Sequence, residues 1–255
     1  MRVMIKRAPD GKITLQEGAK IAVVTISRPA ARNALTSNMW RELKAIGEEL
    51  QRNKKTRAVV VRGVPGSFTA GFDIKEFCGM SVSEANQSFQ LMEETIRTFE
   101  NIPVPVIGAV DGPAYGAGLI FSLAFDLRVG TENAKMGIPV AGLGINLGPE
   151  FIHRLKRIIG PARVSELVML GEIYDAEKSL QTGLLNKVME REAFDSRVLA
   201  IAEKITRLAP SSLASAKKAI QTPLEEEVPE MKYADETYFL EGCLSFVEKR
   251  APRFL

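Results

Sequence analysis

Short runs of β-branched residues alternate with helical stripes through the first half of this chain, and few architectures satisfy that order. Ile-Ala-Val-Val-Thr-Ile-Ser at Ile21–Ser27 and Arg-Ala-Val-Val-Val-Arg-Gly at 57–63 both end at turn residues, as buried strands do. Between them Trp40, Leu43, Ile46 and Leu50 recur three or four apart, the period of a helix with one apolar face. A second stripe, Ala85, Phe89, Met92, Ile96 and Phe99, follows Ser81-Val-Ser-Glu84, which reads as a capping box. Pro103 and Pro105 close that helix and lead into a short strand, Val-Ile-Gly-Ala-Val. Strands interleaved with helices predict an α/β fold with mostly parallel pairing. From about Gly160 the pattern turns helical, with Pro161 suited to a first helical position and Gly171 to the residue just past a helix end.

Segment 117–125 departs from this rhythm. It is short, apolar on every face, and preceded by Gly112-Pro-Ala-Tyr-Gly116. A helix apolar all round is buried, so its first-turn N–H groups point inward and need an acceptor. Its apolar run is far too short to span a bilayer. The amino-terminal residues Met-Arg-Val-Met-Ile-Lys-Arg show no apolar signal segment. Thirty-four basic against 31 acidic residues leave a net charge of +3, which gives no reason to expect nucleic acid or an anionic membrane as partner. Cys78 and Cys243 share no short spacing, against a disulfide framework. The single histidine, His153, excludes a metal site that needs two, and its Glu-x-x-His pairing with Glu150 is weak evidence for metal. The expectation is a globular protein of a reducing, cytoplasmic setting, with no metal.

Two segments carry the chemical signal. Ser67-Phe-Thr-Ala-Gly-Phe-Asp-Ile-Lys-Glu-Phe77 follows one predicted strand, and Asp111 to Phe125 follows the next. Each puts glycine at a strand's carboxyl end before a helix, where ligands tend to bind in α/β sheets. Such glycines either make tight turns or let backbone N–H groups approach a ligand closely. Two amides converging on one point can hold a developing oxyanion.

At these positions the chain resembles the crotonase (enoyl-CoA hydratase/isomerase) superfamily. The resemblance rests on Arg28-Pro-Ala-Ala-Arg-Asn-Ala-Leu35, Phe68-Thr-Ala-Gly-Phe-Asp-Ile-Lys75, Pro105 to Gly118, Phe125-Asp-Leu-Arg128 and the closing Glu241 to Phe254. It implies a spiral of ββα units over about residues 1–200 and a helical trimerisation region over 201–255. It also implies homotrimers or dimers of trimers, and acyl-CoA thioester substrates with no separate cofactor. By position, the family's oxyanion amides fall on Phe72, after Ala70 and Gly71, and on Ala117, after Gly116. Arg28 and Lys75 resemble residues near the CoA adenine and phosphates, and Phe246 with Lys249 resembles the carboxyl-terminal pair that reaches a neighbouring subunit's nucleotide. Each of these cations is equally compatible with a solvated surface. The matching Asp73 usually supports the loop in this family. Tyr115 reads either as packing or as a hydrogen-bond donor.

One departure bears directly on the reaction. The two glutamates that activate water in the family's hydratases fall on Ile120 and Val140. Neither side chain relays a proton. The nearest carboxylate is Glu150, two residues after Gly148, a position where double-bond isomerases of the family often carry an acid. The expectation is an enolate-forming thioester enzyme, an isomerase with Glu150 as single base. The alternatives are a decarboxylase or hydrolase, a nominal hydratase, or a catalytically silent acyl-CoA-binding protein.

Overall fold

A computed structural model describes residues 11–221, with 238, 239, 241, 243, 245 and 248–254. Among them the strands are β1 (Lys12–Glu17), β2 (Ile21–Ser27), β3 (Ala58–Gly63), β4 (Val106–Val110), β5 (Pro113–Tyr115), β6 (Leu127–Thr131), β7 (Lys135–Gly137), β8 (Ile173–Tyr174) and β9 (Lys187–Met189). The helices are α1 (Ser37–Arg52), α2 (Ile74–Phe77), α3 (Val82–Glu100), α4 (Ala117–Ser122), α5 (Pro149–Met169), α6 (Ala176–Thr182), α7 (Arg191–Thr206) and α8 (Pro210–Gln221).

The larger sheet runs β1-β2-β3-β4-β6-β9. Only its edge pair β1–β2 is antiparallel, and the other pairs are parallel. A smaller sheet, β5-β7-β8, lies apart from it. The parallel strands read as continuous apolar runs because helices cover both faces. On one face the α1 stripe of Trp40, Leu43 and Leu50 meets Met92, Ile96 and Phe99 of α3 in the main core. On the other, Phe194, Val198, Ala202 and Ile205 of α7 cover Val60, Ile107 and Val129. The boundary expected at 200/201 therefore falls inside α7, a helix packed on the sheet from both sides of that point.

Local signals set the helix ends. Thr36 caps α1 through Met39 N, and Ser81 with Glu84 forms the capping box of α3. α5 kinks at Gly160 (φ 72°), where Pro161 starts its second half. α4 is buried along its length, with Leu119, Phe121 and Ser122 fully enclosed. Among the described residues no helix is long and apolar enough to cross a membrane.

Candidate active site

The loop that follows β3 is stitched to two neighbours by its backbone. Ala70 N donates to Arg32 O (3.1 Å), Leu35 N to Gly71 O (2.7 Å) and Asp73 N to Leu35 O (2.9 Å). On its other side, Thr69 N donates to Pro113 O (3.1 Å) and Tyr115 N to Thr69 O (3.2 Å). With Gly71 N donating to Thr69 Oγ1, the amides of Thr69, Ala70, Gly71 and Asp73 are thus engaged. Phe72 N is left out, and it has no acceptor among the described residues.

Ala117 N is the second such donor. Gly116 precedes α4 in a conformation that favours glycine (φ 52°, ψ −120°) and donates its own N–H to Gly137 O at 2.8 Å. Ala117 then opens the helix with an amide that no described group accepts, as a first-turn position requires. The two donors lie on chains in close approach. A Cβ added to Gly71 would stand 3.0 Å from Ala117 N and 2.5 Å from Tyr115 O. One added to Gly118 would stand 2.3 Å from Thr69 O. Glycine at 71 and 118 is what lets the loop and α4 meet.

A network behind the loop holds it. Arg28 is buried, and its guanidinium donates to Asp73 Oδ2 at 2.8 Å and to Ala34 O at 3.0 Å. Asp73 in turn caps α2 by accepting from Lys75 N at 3.0 Å. Arg28 is thus a strut of the loop that carries Phe72, where the family resemblance implied a place near the CoA adenine and phosphates. Sequence reasoning missed Asn33 and Thr69. Asn33 sits at φ 55° and donates from Nδ2 to Ser67 O (2.9 Å) and Phe68 O (3.1 Å). Thr69 Oγ1 donates to Asn33 O (2.7 Å) and accepts from Gly71 N (3.1 Å). The signal available was an asparagine in a turn, the side chain that best tolerates a left-handed backbone.

Phe72 and Ala117 both line a cavity of about 230 Å³. Its wall includes Ala70, Phe72, Phe77, Phe89, Met92, Tyr115, Gly116, Ala117, Ile120, Val140, Leu143 and Phe151. Ile120 and Val140, where the family resemblance put the hydratase glutamates, both line it, and a Cβ at Gly116 would lie 3.6 Å from Val140 Cγ1. The only polar side chains among the described lining residues are Tyr115 and Asn146. No carboxylate, imidazole or amine is among them.

Glu150 is placed elsewhere. Its side chain is 64% exposed, 3.9 Å from Arg97, and it lines a shallow surface pocket with His153 and Lys156. The single base expected from the sequence does not reach the cavity, because the first turn of α5 turns Phe151 inward and Glu150 outward. Lys75 and Lys249 are exposed, and Phe246 lies outside the described residues. Among the described residues no group of acidic, histidine and cysteine side chains can hold a metal ion.

The enoyl-CoA hydratase/isomerase family model matches residues 16–255. Mouse (Mus musculus) mitochondrial methylglutaconyl-CoA hydratase is 33% identical over 253 residues, covering 94% of this chain and 81% of the relative. The short-chain-enoyl-CoA hydratase of Clostridium acetobutylicum is 32% identical, covering 93% and 95%. The crystal structure of an enoyl-CoA hydratase/carnithine racemase from Magnetospirillum magneticum superposes with a TM-score of 0.89 at 31% identity, covering 95% of each chain. With paired glycine-bordered amides over an apolar cavity and a family match across nearly its whole length, the chain belongs to the enoyl-CoA hydratase/isomerase family.

Proposed function

We propose that this protein binds an α-carboxyacyl-CoA (malonyl-type) thioester, polarises its carbonyl between the Phe72 and Ala117 amides, and releases carbon dioxide. The observation that carries the reading is the cavity wall, apolar at Ile120 and Val140 and without an acid or base among the described residues. Hydration and double-bond migration both need a side chain that takes or gives a proton. Decarboxylation needs an electron sink. The bond from the α carbon to the carboxyl carbon breaks, its electron pair enters the thioester as an enolate, and the oxygen's charge is met by the two N–H donors. Each such donor is worth about 3 kcal/mol of barrier. The α carbon then takes a proton from solvent.

The aliphatic wall favours the same step. A carboxylate loses hydration against isoleucine and valine, whereas neutral carbon dioxide loses little. Contacts to the CoA portion, remote from the reacting carbon, offset that cost. A trimer or dimer of trimers, implied by the family resemblance, belongs to the same proposal, and sedimentation mass tests it.

Hydration is the second reading, favoured by the names of the relatives. Here it would have to activate water with Tyr115 and Asn146. Parallel assays separate the two. Methylmalonyl-CoA should lose carbon dioxide while crotonyl-CoA keeps its conjugated absorbance. Crotonyl-CoA turnover on the order of 10 per second, the usual scale for an enzyme, with no carbon dioxide release would establish the hydratase reading.

A further inference from the structure

The aromatic side of the cavity has a character that the reaction alone does not require. Phe72 and Phe77 stack with centroids 4.1 Å apart at 17°, and Phe77 stacks on Phe89 at 5.0 Å and 29°. Phe72 and Phe89 lie 6.5 Å apart, tilted at 42°. This aromatic wall comes from three elements, the oxyanion loop, α2 and α3, so its position is tied to that of the Phe72 amide. Met92 and Phe151, both buried, continue it. The described lining carries no formal charge, and its two polar side chains, Tyr115 and Asn146, cannot neutralise a carboxylate.

We propose that this aromatic side of the cavity selects an uncharged acyl substituent of about ring size, an aryl group above all, and rejects acyl chains that carry a carboxylate beyond the α carbon. The proposal rests on the thioester reading above and adds the acyl class to it. Size supports it. An apolar cavity of about 150 Å³ holds benzene, so 230 Å³ takes a six-membered ring and the carbons that join it to the thioester. Geometry supports it as well, since a planar ring meets stacked phenyl groups in the offset or edge-on arrangements that aromatic pairs prefer. A distal carboxylate would be buried there without a cation or an adequate set of donors, which is costly. An acetyl group would leave most of the cavity unfilled and its lining without contacts.

Calorimetric titration of the full chain with phenylacetyl-CoA, acetyl-CoA, glutaryl-CoA and free CoA tests this, because none of the three thioesters carries an α-carboxyl group to lose. Phenylacetyl-CoA should bind at least tenfold more tightly than acetyl-CoA and glutaryl-CoA. Phe89→Ala should erase most of that preference. Glutaryl-CoA binding as tightly as phenylacetyl-CoA, or all three thioesters binding equally and above free CoA, would overturn the acyl selectivity and leave the thioester reading standing. All three binding no better than free CoA would overturn both.

Discussion

At the residue scale, the site depends on side chains that are missing as much as on those present. Gly118 is the clearest case, because a Cβ there meets Thr69 O at 2.3 Å, and the backbone oxygen cannot yield without moving the loop that carries Phe72 N. Gly118→Ala should abolish thioester binding in calorimetry and lower thermal stability, the cost of forcing an atom into a packed contact being about 1–3 kcal/mol. Wild-type affinity in that variant would show that loop and helix need not approach so closely. Glu150 gives the opposite expectation. Exposed and beside Arg97, it has no path to the cavity lining, and Glu150→Gln should change turnover less than twofold. A loss of about 10²–10⁴, the usual worth of a positioned acid or base, would return it to the mechanism.

At the scale of elements, α3 and α5 are joined by a buried guanidinium. Arg154 donates to both carboxylate oxygens of Glu93 (2.7 and 2.8 Å) and to both of Glu100 (2.7 and 2.8 Å). Burial alone would push Arg154 down, but its hydrogen bonds to Glu100 and Glu93 outweigh burial and raise it above the ordinary arginine range. Removing the cation leaves two partly buried carboxylates facing each other. Arg154→Met should therefore cost about 3–5 kcal/mol, read as a melting temperature lower by roughly 6–20 °C at about 2–4 °C per kcal/mol. A shift under about 2 °C would show that the helices hold without the ion pairs. This clamp was not legible in the sequence, since nothing in the spacing of Glu93, Glu100 and Arg154 brings them together. The α1 and α3 stripes and the cap at Ser81 were legible, because each depends on neighbours within a turn or two. β6 was not, because Arg128 interrupts its apolar run. The structure buries that arginine by giving it Leu184 O (2.8 Å) and Phe125 O (2.8 Å) as acceptors. The three-residue strands β5 and β7 are too short to show a period at all.

For the whole molecule, the sheet order brings the carboxyl ends of β3 and β4 side by side, and the two glycine-bordered segments that follow them meet there. The glycines at 71, 116 and 118 announced this meeting in the sequence, and the resemblance named the amides. The aromatic wall was hidden because its members arrive from separate elements and read locally as core stripes. Arg28 was hidden because a charge says nothing about whether its partner is a ligand or, as here, a buried aspartate. In the proposed reaction this cavity receives a thioester enolate, and among its described lining residues no carboxylate, imidazole or amine is present to exchange protons at the α carbon. Incubation of methylmalonyl-CoA in D2O, followed by proton NMR of the acyl group, tests that claim most directly. Decarboxylation without a resident base yields propionyl-CoA with one deuterium on the α carbon, and the remaining α proton persists on prolonged incubation. Progressive loss of that second α proton, or no carbon dioxide release alongside hydration of crotonyl-CoA, would contradict the account.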